Sequence, residues 1–366
     1  MRYRTALPAL IDRFPPQLTS QTLALAEHAA LELRGADEAG ATGPSTVPLL
    51  RSESAASSKI EQIEVGQRHI ARALAGYPTR QRAAREVAAN IATVREALRD
   101  AVRDLTVARL NDIHRTLLPE DASAGKLRAV QNWIGGSDHS PRGARYVPPA
   151  PEDVGELVED LCRFLNRRDL PAVGQAGIAH AQFEAIHPYE DGNGRVGRAL
   201  IHRVLRRRSV VNHGVAPVSV AMLSRKEHYL DDLAAYDAGD IDTFVRHFAT
   251  SAMAAATASR QLTSDLADLA TEWALTPAVA NTRSDATVRR LITDLVEHPV
   301  IDTNWVMAHY DVSRRAALNA LDTLTNAGIL GQTTAARGLH VYEAVDVLSL
   351  MDGIEGDLRE HLAGHT

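Results

Sequence analysis

Residues 172–208 read AVGQAGIAHAQFEAIHPYEDGNGRVGRALIHRVLRRR, and their pattern decides the fold class. Helical periodicity runs to Ile186 and stops there, because Pro188 pushes the residue before it out of the α region. His187 is therefore expected at a helix end. Beyond the glycines helical spacing resumes: Val196, Leu200 and Val204 share one side, with Ile201 and Leu205 beside them. Two helices joined by a tight polar turn are predicted, inside a mainly helical protein.

The turn, HPYEDGNGRVGR (187–198), holds a histidine, two acidic residues, three glycines, an asparagine and two arginines. Gly192, Asn193 and Gly194 open a helix, where backbone can approach an anion and first-turn amides point at it. Arg195 and Arg198, three apart, project from about the same face one turn in and can reach further phosphate oxygens. Asp191 becomes an asset beside phosphates as a ligand of Mg²⁺, a hard cation that takes carboxylate and phosphate oxygens together. His187, four residues upstream, is placed to accept a proton from an attacking hydroxyl. No Gly-Lys-Ser/Thr follows the glycines and there is no HExxH, so neither a P-loop nor that zinc site is present.

Working outward, a helix is expected from about Ser20 to Leu33, then a loop over GADEAGATGPSTVP, then a helix starting in SESAASSKIEQIEVGQ with its apolar stripe from Ile60 and Ile63. Thr79 to Leu117 contains no Gly or Pro and reads as two helices or one bent one. Residues 125–151 change texture, with two β-prone islands, Gln131–Ile134 and Arg145–Val147, that suggest a hairpin-like flap. About Met253 to Trp273 reads as a connecting helix. From Arg283 the order helix, helix, turn, helix and β-wing suggests a winged helix, with Ser313 as N-cap and Gly328 as helix stop.

At 366 residues two or three domains are expected, and 4% aromatics with frequent alanine point to helices packed through small aliphatics. The formal charge of −6 gives no global attraction for nucleic acid or anionic membrane. The run Arg206–Arg208 is read as complementing a helix C-terminus, not as a nucleic-acid patch. One cysteine, Cys162, excludes an internal disulfide framework and is expected buried. The start MRYRTALPALIDRFPP lacks the apolar core of a signal peptide, and no run of about 18 apolar residues follows, so a soluble cytoplasmic protein without a membrane partner is expected.

The stretch His187–Arg198 resembles the signature of the Fic (Fic/Doc) family, His-x-Phe-x-Asp-Gly-Asn-Gly-Arg-x-x-Arg, with Tyr189 in place of phenylalanine. Phe183, Glu184 and Ile186, QNWIGG and ARYVPPAPEDV extend the resemblance over about residues 1–250. The resemblance implies a mainly helical fold and transfer of AMP from ATP to a Ser, Thr or Tyr hydroxyl of a target protein, itself included, with pyrophosphate leaving. His187 would then deprotonate the target, Asp191 hold Mg²⁺, Gly192, Asn193 and Gly194 cradle the α- and β-phosphates, and Arg195 and Arg198 neutralise the β- and γ-phosphates. RKEHYLDDLAAYDAGD resembles the family's stretch near the adenosine and offers Tyr229, then Tyr236, as nucleoside contacts. The flap would register the target by main-chain pairing, with Trp133, Tyr146 and Val147 at its ordered edges.

SSKIEQ (57–62) resembles the inhibitory motif Ser/Thr-x-x-x-Glu-Gly/Asn of the same family, with Gln62 departing from Gly/Asn. Ser57 and Glu61 lie four apart on a helix, one above the other. By the resemblance Glu61 would pair with Arg198 and deny the γ-phosphate its partner, since one guanidinium cannot give its bidentate face to two anions. The expected layout is 1–95 for an N-terminal helical region carrying this inhibitory helix, 96–252 for the catalytic core, 253–282 for a connecting helix and 283–366 for the winged-helix-like domain. That last region carries seven Arg and no Lys against twelve Asp plus Glu, a formal −5, so docking or homodimerisation is favoured over DNA. Two other functions remain open at this point: a nucleotide-responsive DNA-binding regulator, and removal of AMP by the same site.

Overall fold

A computed structural model describes residues 3–41, 45–137, 139–283 and 286–363. In chain order the helices are α1 (Ser20–Gly40), α2 (Thr46–Ile60), α3 (Gln67–Leu74), α4 (Arg82–Leu98), α5 (Val107–Leu117), α6 (Pro151–Asn166), α7 (Ala172–Ile186), α8 (Asn193–Arg207), α9 (Val218–Ser224), α10 (Lys226–Asp237), α11 (Ile241–Leu275), α12 (Pro277–Ala280) and α13 (Thr287–Glu297). Then come β1 (Val300–Ile301), α14 (Thr303–Tyr310), α15 (Arg314–Asn326), β2 (Gly331–Ala336), β3 (Leu339–Glu343) and α16 (Val345–Ala363). The expected mainly helical fold with little β-structure is what the chain adopts.

The chain forms two compact units and passes between them repeatedly: Met1–Arg34, Ala89–Asn212 and Arg225–Met253 in the first, Gly35–Ala88, His213–Ser224 and Ala254–Thr366 in the second. In the first unit α7 is the central helix, with nearly every residue buried, and packs against α6 on one side and α8 on the other. Phe164, Phe183, Leu200 and Val204 are core side chains here. The two helices of the opening stretch meet at Gly197, where a Cβ would come within 2.9 Å of Glu184 Oε1 and 3.0 Å of Phe183 Cδ1. Only glycine allows that approach.

In the second unit β1, β3 and β2 form a three-stranded antiparallel sheet in that order, with Val300 opposite Glu343 and Thr333 opposite Val341. With α13, α14 and α15 the order is helix, strand, helix, helix, strand, strand; the sequence led to helix, helix, turn, helix and β-wing, so strand β1 and the closing helix α16 are additions to it, and residues 364–366 and 284–285 of that region lie outside the described residues. Ser313 caps α15 by accepting from Ala316 N at 3.3 Å, and Gly328 follows the helix at φ +77°. Strand β3 ends in Glu343, fully buried and held by Arg68 at 3.0 Å and Arg72 at 2.6 Å. Helix α3 is thereby fastened to the sheet, and Ala71 packs with Val300, Val341 and Leu348.

Several boundaries differ from expectation. Helix α1 continues through Gly35 to Gly40, because Ala36 is buried and the Asp37 carboxylate accepts from His213 N and Gly214 N at 3.0 and 2.9 Å. Helix α2 begins at Thr46, ahead of the serines, with Pro48 tolerated in its first turn; residues 42–44 of the expected loop lie outside the described residues. Thr79–Leu117 is two helices, α4 and α5. The connecting helix is one part of α11, 35 residues long. The flap is reduced to single bridges, Ile134 with Tyr146 and Ser137 with Ser140, since its glycines interrupt pairing; Asp138 lies outside the described residues. No described helix is long and apolar enough to cross a membrane.

Candidate active site

Helix α7 ends where the proline required, and His187 takes the C-cap position in the left-handed region, φ 47° and ψ 60°. Such a conformation costs a non-glycine residue on the order of 1 kcal/mol and needs outside support. Arg128 provides it. Its buried guanidinium donates to His187 O at 2.8 Å, to Pro149 O at 2.6 Å and to Ile186 O at 3.4 Å, while Arg128 N donates to Pro188 O at 2.9 Å. Burial pulls the Arg128 pKa below the usual arginine value, and the carbonyl ring compensates the desolvation.

The turn after His187 is locked from two sides. The Asn193 side chain accepts from Tyr189 N at 2.9 Å and donates to Tyr189 O at 2.8 Å, and Asn132 Nδ2 donates to the same carbonyl at 3.1 Å. The side chain of Asn193 is thus spent on the loop, leaving its main-chain amide for an anion. The Tyr189 ring is fully buried, and its hydroxyl donates to Asn111 Oδ1 at 2.8 Å. On the other side His114 stacks on Tyr189, with centroids 3.8 Å apart and planes 8° from parallel. His114 Nδ1 accepts from Gly125 N at 2.8 Å, so Nε2 carries the proton and donates to Asp191 O at 3.0 Å. Burial pulls its pKa below the ordinary histidine value, which keeps the ring neutral and the tautomer fixed.

Gly192 sits at φ +79°, and a Cβ there would lie 2.7 Å from Leu117 Cδ2. Glycine is required twice over, by conformation and by space. Asp191 Oδ1 accepts from Gly192 N at 2.6 Å and lies 3.6 Å from an Arg195 guanidinium nitrogen, while the carboxylate itself is 71% exposed. Gly192 is the N-cap of α8 and gives it no side-chain cap, so the amides of Asn193, Gly194 and Arg195 face the turn. Arg195 and Arg198 follow on α8 with relative exposures of 4% and 1%.

A polyphosphate fits these residues. Arg195 Nε is buried with no partner among the described residues, which is costly unless an anion or water answers it. Among the described residues no group of three His, Cys, Asp or Glu is placed to hold a metal. The exposed carboxylate of Asp191, next to the amides that open α8, suits a Mg²⁺ ion that draws most of its oxygens from phosphates and water.

Other expected residues are placed as follows. Tyr229, on α10, is buried with its hydroxyl 2.9 Å from His180 Nε2 on α7. His180 is fully buried, and burial first, then the charge of Arg198, pulls its pKa down to about 3. Tyr236 donates to Gln182 Oε1 at 2.8 Å and packs edge-on against Phe244. Tyr146 donates to Ala185 O at 2.9 Å, tying the flap to the end of α7, and Val147 O accepts from Ala6 N at 2.8 Å. A docked strand could not use that carbonyl while the N-terminal segment holds it. Trp133 Nε1 donates to Ser137 O at 2.8 Å within the flap.

Ser57 is buried on α2, and Glu61 is the helix's C-cap residue, so the helix carrying the pair ends one residue before the glutamate. Gln62, next in line, stands at φ 64°. That left-handed position gives the physical reason for Gly or Asn at this place in the motif it resembles. The arginine run is spent internally: Arg206 on Val211 O, Arg207 on Asp104 and Val102 O, Arg208 on Gln175 and Leu170 O. Cys162 is buried in α6, where burial pushes its thiol up to about 12.

His114, Arg128, Asn111 and His180 escaped the sequence reading. Each acts through a partner at least 49 positions away, so no local spacing announces it. The departure at Tyr189 was the available signal for Asn111, because a buried phenol requires an acceptor.

Residues 104–205 match the Fic/DOC family. Over 151 residues, 40% of this chain, the sequence is 30% identical to protein adenylyltransferase fic-1 of Caenorhabditis briggsae and 32% identical to protein adenylyltransferase Fic of Drosophila melanogaster. The match spans 27% and 28% of those relatives' lengths. Among solved structures, a Fic family protein from Desulfovibrio desulfuricans G20 superposes with a TM-score of 0.57 at 22% identity, covering 90% of this chain and 97% of that one, which shows a shared fold.

Proposed function

We propose that this chain, whose residues 104–205 form a Fic/DOC domain, is a protein adenylyltransferase that moves AMP from ATP to a Ser, Thr or Tyr hydroxyl of a target protein, itself included. The observation that carries this reading is the α7–α8 turn, where one histidine, the exposed carboxylates of Glu190 and Asp191, an amide nest and two buried arginines occupy twelve residues. The names of the curated relatives support it.

In this reading the amides of Asn193, Gly194 and Arg195 hold the α- and β-phosphates, and Arg195 and Arg198 take the charge of the β- and γ-phosphates. Mg²⁺, held by Asp191, supplies charge neutralisation of the phosphate oxygens when bound. His187 takes the proton from the target hydroxyl as its oxygen attacks the α-phosphorus, and pyrophosphate leaves on the side of the arginines. Arg128 and His114 are positioning residues, the first for His187 and the second for Asp191. Tyr229 acts as a wall of the nucleoside pocket through its bond to His180, and the flap offers the target its remaining main-chain groups.

Glu61 serves as a brake: its carboxylate competes with the γ-phosphate for Arg198, and Ser57 seats the same helix. The winged-helix-like region, with its acidic balance, serves docking of a target or of a second copy. The test is incubation with ATP labelled at the α-phosphate and Mg²⁺. Transfer to protein by the wild type or more strongly by Glu61→Gly supports the reading, and no label with either chain in the presence of candidate targets refutes it. Equal transfer by wild type and Glu61→Gly, with equal nucleotide affinity, refutes the brake alone.

A further inference from the structure

Helix α2, the turn to α3, α9 and α16 enclose a cleft of about 360 Å³ within the second unit, a size suited to a small molecule. Its apolar walls include Ala56, Val220 and Met351. Its polar groups are unusual in two respects. Ser52, on α2, is 1% exposed and lines the cleft, yet its hydroxyl has no hydrogen-bond partner among the described residues. By contrast Ser58, on the same helix, returns its proton to Ser54 O at 2.9 Å. A buried hydroxyl left without a partner calls for something in the cavity to answer it.

The second respect is charge. Lys59 is the one basic residue in the wall, and it is neutralised by Glu355 at 2.8 Å. Asp352 accepts from Gln67 N at 3.0 Å and interacts electrostatically with the buried Arg51. Glu64 adds a third carboxylate, so the wall carries a formal −2. Arg51 is not part of the wall; it is buried, its guanidinium donates at 3.4 and 3.5 Å to the side chain and carbonyl of Gln67, and its charge offsets that of Asp352, so Glu64 carries the excess negative charge.

We propose that this cleft binds a small aliphatic diamine, one ammonium on Asp352 and Glu64, the hydrocarbon over Ala56, Val220 and Met351, and the second ammonium donating to Ser52 Oγ. A ligand there bridges α2 to α16 and holds α2 in its seat. If α2 carries the brake, as the preceding reading has it, the diamine is an inhibitory effector; the binding site itself does not depend on that reading.

The test uses the full chain and cadaverine as probe, with pentanol as the neutral and glutarate as the oppositely charged isostere, in isothermal titration. Saturable one-to-one binding of cadaverine alone is expected, weakened at least tenfold by Asp352→Asn and abolished by Ala55→Phe, which fills the cleft from its partly exposed rim. Amide exchange of residues 49–60 slows at least threefold on binding. No binding of cadaverine to the wild type, equal binding to Asp352→Asn, or binding of glutarate or pentanol as tight as that of cadaverine overturns the site. Binding that leaves exchange in α2 unchanged overturns its hold on the helix. Glu61→Gly, tested for transfer without the diamine, decides the brake separately.

Discussion

Replacing Gly192 by alanine isolates the part of the site that belongs to the backbone. At φ +79° an L-residue carries a left-handed penalty of about 1–2 kcal/mol. The new Cβ would also stand 2.7 Å from Leu117 Cδ2, a side chain buried on α5, where close packing makes a shift costly. The strain has two outlets. If the loop holds, the protein loses about 1–2 kcal/mol of stability; if the loop rotates instead, the first amides of α8 lose their aim and nucleotide affinity falls by about tenfold, which is about 1.4 kcal/mol. Urea unfolding and titration with Mg²⁺–ATP, both in a Glu61→Gly background, measure the two. An unchanged unfolding midpoint together with unchanged affinity would show that Gly192 is neither strained nor part of an anion nest.

Four further outcomes follow from the geometry. His187→Ala abolishes transfer while leaving ATP affinity nearly unchanged, because the histidine acts on the hydroxyl; loss of ATP binding in a folded variant contradicts that role. Gln62→Gly raises stability by about 0.5–1 kcal/mol, the left-handed penalty less the entropy cost of glycine, read by thermal unfolding; a loss of stability shows the position is unstrained. Tyr189→Phe restores the family's residue but strands Asn111 Oδ1 and lowers stability by about 1–3 kcal/mol with transfer retained; a neutral effect means the bond from the hydroxyl contributes nothing. His180, held to about 3 when folded against 6.5 unfolded, refuses a proton that the unfolded chain accepts. Its contribution is complete above pH 6.5 and is lost as pH falls toward 3, at up to about 1.4 kcal/mol per pH unit. His180→Gln flattens this acid limb, and an unaltered slope refutes the assignment.

What the sequence disclosed and what it hid divide along one line. The helix end at His187, the helix opening at Gly192–Gly194 and the N-cap at Ser313 are local consequences of neighbouring residues, and spacing alone reveals them. Helix α1 ran past its expected end because Asp37 is held by His213 and Gly214, which no local propensity encodes. The same holds at the site. His187, Asp191 and the arginines stand in one short motif, whereas the residues that hold them in place, Arg128, His114 and Asn111, come from distant segments through bonds to main-chain carbonyls and a phenol. Those bonds accept many residue types in principle, so they leave no signature in a single sequence. The flap shows the opposite failure, two β-prone islands that achieve one bridge because Gly135 and Gly136 both stand at positive φ between them.

In the proposed reaction the α7–α8 turn transfers an adenylyl group with His187 as the base. Intact-protein mass spectrometry after incubation with Mg²⁺–ATP tests it most directly, comparing Glu61→Gly with the double variant Glu61→Gly/His187→Ala. A gain of one or more adenylyl masses is expected on the first, or on a supplied target, and none with the second. An equal gain with both chains, or a gain of a different mass, would contradict it.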